Sequence, residues 1–389
     1  MGANSFMITF PQFFGRGCSK EAGEKLAAMG CKKVLVMHGK GVEAAGLPDL
    51  IVQAIERAGL EVAENNEVES DPSDRIIKKI AAFGKDAEVD SIVAIGGGSC
   101  MDAAKCVKLL LDNDEPLEVF YDISHSQKTA IPLITIPTTS GSGSEASKGA
   151  VVTDTVNGIK RVIIGAGTTP AMALIDPELT LGVPPKVTAA CAFDVLAHAI
   201  DAITSKMTCR ITQAVSYEAI RLMERSYKHA VEHGDDINAR EDMQLASNLG
   251  GYGIGNAKCS MSHAFAHALG ALYHVPHGVC CAIFTPASLE YVSDTCPEQI
   301  RAIAELLHIA YDAEDSTREI ARKIGEQIRR MYRAVGIDDI IAYIPDEEEA
   351  IKRLTPVAEK DIMALFSPRP IDDESCEWVI RRTYELARS

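Results

Sequence analysis

Through residues 1–182, short β-branched runs alternate with stretches whose apolar positions recur every three or four residues. Lys33–Met37 reads as a strand that follows a helical pattern over residues 19–29. Residues 91–95 read as a second strand ending at Gly96-Gly97-Gly98, and residues 131–136 as a third that runs into a Thr/Ser/Gly-rich loop at 138–144. Residues 150–153 and Met172–Ile175 carry two further strand patterns. Strands alternating with amphipathic helices predict a parallel sheet covered on both faces, with ligands gathering beyond the carboxyl ends of its strands. After Val183-Pro184-Pro185 the period becomes helical and stays so to the end, without repeats, low-complexity tracts or a long linker. The expected division is an α/β domain over residues 1–182 and an all-helical domain over residues 183–389.

Composition narrows what such a chain does. A hydrophobic fraction of 47% over 389 residues supplies core for two domains. A net charge of −16 argues against nucleic acid or an anionic membrane as the main partner, since either needs a basic face. The first residues lack a basic flank and long apolar run, so no signal peptide is expected. No stretch is read as reaching the roughly 20 apolar residues of a membrane span, and a soluble, cytoplasmic protein is expected. The 11 cysteines include no Cys-x-x-Cys pair, which disfavours zinc-ribbon and thioredoxin-like chemistry and fits buried thiols in a reducing compartment.

Two groups of residues carry candidate chemistry. Gly96, Gly97, Gly98 and Ser99 lie between a strand and a helix starting near Met101, where bare backbone and free N–H groups suit a pyrophosphate. The Gly-x-Gly-x-x-Gly fingerprint is absent, and a plain tight turn is the alternative. A second loop, from Pro137 through Thr138, Thr139, Ser140, Gly141, Ser142, Gly143 and Ser144 to Glu145, also follows a strand and suits contacts to phosphate, ribose or nicotinamide. Two such loops favour a dinucleotide.

In the helical half, Asp194 and His198 share one helix face at i, i+4; His263 and His267 repeat that spacing, and His277 follows Val275-Pro276. A single such pair is usually a surface or core polar pair, but four of the ten histidines fall between 263 and 277 in an apolar background. Burying that many imidazoles without a shared ligand is costly, and imidazole with carboxylate suits Zn²⁺ or Fe²⁺. His274 reads as pocket lining or a solvated helix end. A nucleotide loop and an open metal site together read as alcohol–aldehyde redox rather than hydrolysis.

These motifs, in this order, resemble the iron-containing (group III) alcohol dehydrogenase family along essentially the whole chain. Gly96–Ser99 with Asp102, Ala104 and Lys105 resembles one family signature, and Pro137–Glu145 another. Phe193-Asp194 through His198 to Asp201, and His263 through His267 to His277-Gly278, resemble its ligand-bearing segments. The resemblance implies an N-terminal Rossmann-like α/β domain with a parallel sheet and an all-α C-terminal domain, the dehydroquinate synthase-like architecture. It implies Fe²⁺ or Zn²⁺ held by Asp194, His198, His263 and His277, with His267 as a nearby proton relay. NAD or NADP is implied as cofactor, with Lys160 reaching its ribose region, a small alcohol or aldehyde as substrate, and a homo-oligomer of at least two chains.

Departures from the family pattern raise further expectations. The strand ending at Met37 leads into His38-Gly39-Lys40, without the acid that grips a ribose, so NADP(H) is expected to be tolerated or preferred, with Lys40 near its phosphate; an exposed strand-end lysine is the alternative. Asp71 stands where relatives often carry Asn, which bears on that cofactor contact. Lys148-Gly149 and Lys258-Cys259 flank the expected pocket, and the lysines suit a small anionic aldehyde such as sulfoacetaldehyde, unless both are simply solvated. The competing readings are a cyclase or lyase of the dehydroquinate synthase type and a metal hydrolase. The first lacks a basic cluster across residues 264–275, and the second leaves both Gly-rich loops without a task.

Overall fold

The computed structural model describes residues 5–389, which fall into two compact units. The α/β unit comprises Ile8–Thr139 and Gly143–Gly182. In chain order it contains β1 (Gln12–Phe14), α1 (Ala22–Ala28), β2 (Lys33–Met37), α2 (Lys40–Ala44), α3 (Leu47–Arg57), β3 (Glu61–Asn65), α4 (Asp74–Asp86), β4 (Ser91–Gly96), α5 (Gly98–Asp112), β5 (Leu133–Pro137), β6 (Gly149–Asp154), β7 (Ile159–Ile164) and β8 (Met172–Ile175). Six strands form one all-parallel sheet in the order β1-β8-β5-β4-β2-β3.

Every residue of β4 and β5 is buried, as a strand covered on both faces requires. Leu35, Met37, Ile92 and Ala94 pack with Ile77 and Ile80 of α4 and Val107 of α5. Val34, Val36, Val93, Ile95, Ile134 and Ile136 pack with Leu26 of α1 and Ile51 and Ile55 of α3. The expected parallel sheet with helices on both faces is borne out, with one correction. Residues 150–153 belong to β6, which pairs antiparallel with β7 in a separate hairpin. Ala150, Val152 and Asp154 are buried while Gly149, Val151 and Thr153 are half-buried, a one-faced alternation unsuited to the middle of this sheet.

The helical unit comprises Val183–Ser389 with residues 5–7 and Ser140–Ser142. Its helices are α6 (Pro185–Thr204), α7 (Arg210–Glu232), α8 (Ile237–Ala257), α9 (Met261–Tyr273), α10 (His277–Val292), α11 (Pro297–Leu306), α12 (Thr317–Ala334), α13 (Glu347–Ala358) and α14 (Asp373–Arg388). α6 and α10 are apolar nearly all round and sit inside the unit; α10 packs against α6, α9, α12 and α14. α12 is amphipathic and starts with a reciprocal cap between Ser316 and Glu319. Phe193 anchors the core, edge-on to both Tyr227 and Tyr332. The expectation that no stretch is apolar enough to span a membrane needs correcting, because α6 passes on length and composition. Its burial within the unit accounts for that apolarity.

Candidate functional site

The helical unit brings Asp194, His198, His263 and His277 together, one ligand atom from each lying within 4.8 Å of the others. Asp194 Oδ1 is 3.5 Å from His198 Nε2, 3.9 Å from His263 Nε2 and 3.4 Å from His277 Nε2. One turn of α6 places the first two side chains on the same face. His263 lies in the first turn of α9, and its ring stacks on that of His198 at 4.8 Å. His277 opens α10 directly after Pro276.

Two backbone features deliver His277. His274 ends α9 in the left-handed conformation, φ 54°, and turns the chain toward α10. It is exposed and ends the helix, which bears out the solvated helix end of its two expected readings. Gly278 then lets α10 meet α6 without a side chain between them: a Cβ there would stand 2.0 Å from Ala190 O.

Burial alone would push the Asp194 carboxyl up, but the surrounding His198, His277 and His263 imidazoles outweigh it and hold it below the usual carboxylate range. Asp201, seven residues along α6, accepts the His263 Nδ1 hydrogen at 2.8 Å and the Ser260 N–H at 2.8 Å. That bond leaves Nε2 of a neutral His263 with its lone pair toward Asp194, the usual support for a ligating histidine. Asp194, His198 and His263 are buried, while His277 leaves 43% of its side chain exposed, so the cluster opens on the His277 side. Three imidazole nitrogens and a carboxylate oxygen on one centre, with one tautomer fixed, suit a divalent Fe or Zn ion.

His267 stands one turn beyond His263, its ring stacked on that of His277 at 5.6 Å. Its Nδ1 is 2.8 Å from Asp361 Oδ2, while Asp361 Oδ1 accepts the Met363 N–H and so starts the turn at Ile362–Phe366. Sequence reading assigned no role to Asp201 or Asp361. The first shares a helix face with Asp194 and His198, which was the available signal. The second lies 94 residues from its partner, and no spacing announces it. Cys259 is buried beside His198 and His263. Lys258, at φ 68°, terminates α8 and donates to Gly255 O at 3.1 Å, which supports a helix-capping use for this lysine.

In the α/β unit, the Gly96 and Pro137 loops lie side by side because those residues are register partners of β4 and β5. Thr138 N–H donates to Gly96 O at 2.9 Å. Gly97 caps α5, and a Cβ on it would stand 3.0 Å from Thr139 Oγ1, whereas Gly98 begins the helix. Ser99 Oγ accepts the Asp71 N–H at 3.2 Å, and Lys160 Nζ lies 2.5 Å from Asp71 Oδ1, so three separate segments meet there. Asp71 itself is left-handed, φ 53°.

Several polar groups in and beside these loops hold other parts of the unit. Asp102 accepts from Ser144 Oγ at 2.6 Å and Val151 N–H at 2.9 Å. Buried Lys105 donates to Ser144 O at 2.9 Å, Ser144 Oγ at 2.6 Å and Gly149 O at 2.7 Å. Lys148 O accepts from Thr168 Oγ1 at 2.8 Å. Ser140–Ser142, including Ser142, groups with the helical unit, where a Cβ on Gly141 would stand 2.9 Å from Cys191 Cβ. Gly39 caps α2 below Val68 O, while Lys40 is exposed and 3.1 Å from Glu43 Oε2.

Residues 11–177 match the family model for iron-containing alcohol dehydrogenase, and residues 188–384 match that of the family's C-terminal region. The chain is 31% identical over 365 residues to an NAD-dependent methanol dehydrogenase of Bacillus methanolicus, covering 94% of this chain and 96% of that protein. It is 33% identical over 380 residues to a choline dehydrogenase of Bacillus subtilis, covering 96% and 93%. The solved structure of a 1,3-propanediol oxidoreductase superposes with a TM-score of 0.93 at 31% identity, covering 98% of this chain and 100% of that one.

Proposed function

This chain belongs to the iron-containing alcohol dehydrogenase family of oxidoreductases acting on alcohols and aldehydes, and on that premise we propose that it interconverts a short-chain alcohol and its aldehyde. Asp194, His198, His263 and His277 would hold one Fe²⁺ or Zn²⁺ ion. Gly96–Ser99, Thr138, Thr139 and the Asp71–Lys160 pair would receive NAD(H) or NADP(H). When bound, the ion supplies Lewis acidity toward the substrate oxygen and the nicotinamide supplies the hydride acceptor or donor.

The chain's own residues do the rest. Asp201 keeps Nε2 of His263 turned toward Asp194. Asp361 holds the Nδ1 side of His267, leaving Nε2 to take the alcohol proton or return it. The glycines at 96 and 97 keep the strand ends open to a phosphate, and the N–H groups of the first turn of α5 receive its charge.

The observation that carries this reading is the convergence of four ligand atoms within 4.8 Å. Its test is NADH and NADPH oxidation with a panel of small aldehydes, before and after chelation, with metal analysis on the same preparation. Turnover should vanish with the metal and return on adding Fe²⁺ or Zn²⁺; undiminished turnover by fully stripped protein would end the proposal.

On cofactor choice, Lys40 is paired with Glu43, and that carboxylate would meet a 2′-phosphate as a like charge. This favours NAD(H), with NADP(H) tolerated. A small anionic aldehyde remains a candidate through Lys148. A reducing cytoplasmic setting is supported by the 11 free thiols, and a homo-oligomer by the family resemblance.

A further inference from the structure

Asp71, between β3 and α4, holds a left-handed backbone, φ 53°, which a residue with a side chain keeps only where its neighbours fix it. Its N–H donates to Ser99 Oγ in the first turn of α5 at 3.2 Å, and its carbonyl accepts from Thr153 Oγ1 of β6 at 3.3 Å. Thr153 N–H also donates to Pro72 O at 2.9 Å. Across the hairpin, Thr153 is the register partner of Lys160 on β7, whose Nζ lies 2.5 Å from Asp71 Oδ1. One rung of the hairpin therefore grips Asp71 twice, by its main chain and by its carboxylate.

The two members of this ion pair differ in freedom. Asp71 carries a short side chain on a clamped backbone. Lys160 has a long side chain that is 41% exposed, whereas Lys105 and Lys108 are buried and each bonded to three acceptors. An exposed pair is weak, and a lysine ammonium turns readily to a stronger acceptor. The anion is fixed and the cation is free to leave. A dinucleotide pyrophosphate received by the first turn of α5 carries more negative charge than one carboxylate and would compete for that cation.

We propose that Asp71 and Lys160 form an exchangeable pair that sets the grip on the dinucleotide. In the free protein Asp71 holds the ammonium. On binding, the ammonium passes to the pyrophosphate and the carboxylate stays behind as a like charge. Asp71 therefore loosens binding and Lys160 tightens it, which suits an enzyme whose turnover requires release of the dinucleotide. The inference rests on the reading that these strand-end loops receive NAD(H) or NADP(H), and the test tells the two apart.

The metal-loaded whole protein is titrated calorimetrically with NADH and with NADPH at low ionic strength. It is compared with Asp71→Asn, Lys160→Met, Lys160→Gln and the two double replacements. Asparagine tolerates the left-handed backbone, so Asp71→Asn removes the charge and keeps the turn. It should lower Kd about fivefold, the scale of a surface ion pair, and about 1 M NaCl should erase that gain. Lys160→Met and Lys160→Gln should each raise Kd, and in either background the gain from Asp71→Asn should shrink to about twofold or less. Unchanged or weaker binding by Asp71→Asn overturns the exchange. A gain of the same size without Lys160 overturns it too, since Asp71 would then act as a fixed repulsive charge alone, and so does a gain that persists in high salt. An unmodified protein that binds neither NADH nor NADPH brings down the dinucleotide reading and the exchange together.

Discussion

The Asp–His cluster of the helical unit and the strand-end loops of the α/β unit are built on opposite principles. The cluster is made of side chains: Asp194 and His198 one turn apart on α6, His263 in the first turn of α9 and His277 at the start of α10. The loops are made of backbone, bared by glycine at the ends of β4 and β5, and their polar side chains mostly hold the loops in shape. Asp201 and Asp361 orient histidines in or beside the cluster; Asp102 and Lys105 hold main chain and the Ser144 hydroxyl. Damage to the first region should therefore remove the ion, and damage to the second should weaken the dinucleotide while leaving the ion in place.

The largest effect should come from His263→Ala. Losing a donor from the cluster is expected to empty it and lower kcat/KM about a thousandfold or more, the several kcal/mol that Lewis acidity contributes. Metal analysis and dinucleotide binding on the same sample check the contrast, since binding should survive.

Next is Lys105→Met, which leaves Ser144 O, Gly149 O and the Asp102 carboxylate without their buried cation. A destabilisation of roughly 3–5 kcal/mol is expected, with a raised KM for the dinucleotide and unchanged metal content. Equal loss of metal would contradict the division drawn here.

Asp361→Asn should be milder. It weakens the hold on His267 without touching a donor atom, and a roughly ten- to hundredfold fall in kcat at constant metal content is expected. An unchanged kcat would remove His267 from the proton path.

The smallest effect belongs to a residue outside both sites. Burial would raise the Asp339 carboxyl, but bonds from Arg329 and Tyr332 hold it below the usual range. A carboxyl depressed in the folded state stabilises fully above its ordinary range and loses that contribution as pH falls through the folded value. Asp339→Asn should thus cost roughly 1–3 kcal/mol near neutrality and nothing at strongly acidic pH, with kcat/KM unaltered. Thermal melts at both pH values decide this.

The same contrast explains what could be read before the structure. The converging residues were legible in part, because residue type and the one-turn spacing of Asp194 and His198 survive in a sequence while the choice of His263 and His277 over His267 came from the family resemblance; β2 and β8 were legible because their apolar runs stop where the strands stop. β3 and β7 were not: Glu61, Glu64, Lys160 and Arg161 dilute the apolar alternation of one edge strand and one hairpin strand. β1 spans three residues with both phenylalanines exposed, too short for a period to register. Asp102 was readable as a motif residue but not in its role, because its partners Ser144 and Val151 lie more than forty positions away. The αL turn at His274 was hidden for a different reason. A solvated helix end was one of the two readings of His274, but residue type alone does not announce the left-handed conformation that makes the bend.

Gly278 sets a limit on redesign. With Ala190 O 2.0 Å from where any β-carbon would stand, the two backbones form a clasp that admits hydrogen and nothing larger. A saturation library screened for any substrate should return a single letter at this position, even where the surrounding pocket accepts wide variety. Engineers reshaping the enzyme toward bulkier molecules would have to carve space elsewhere and leave this crossing untouched.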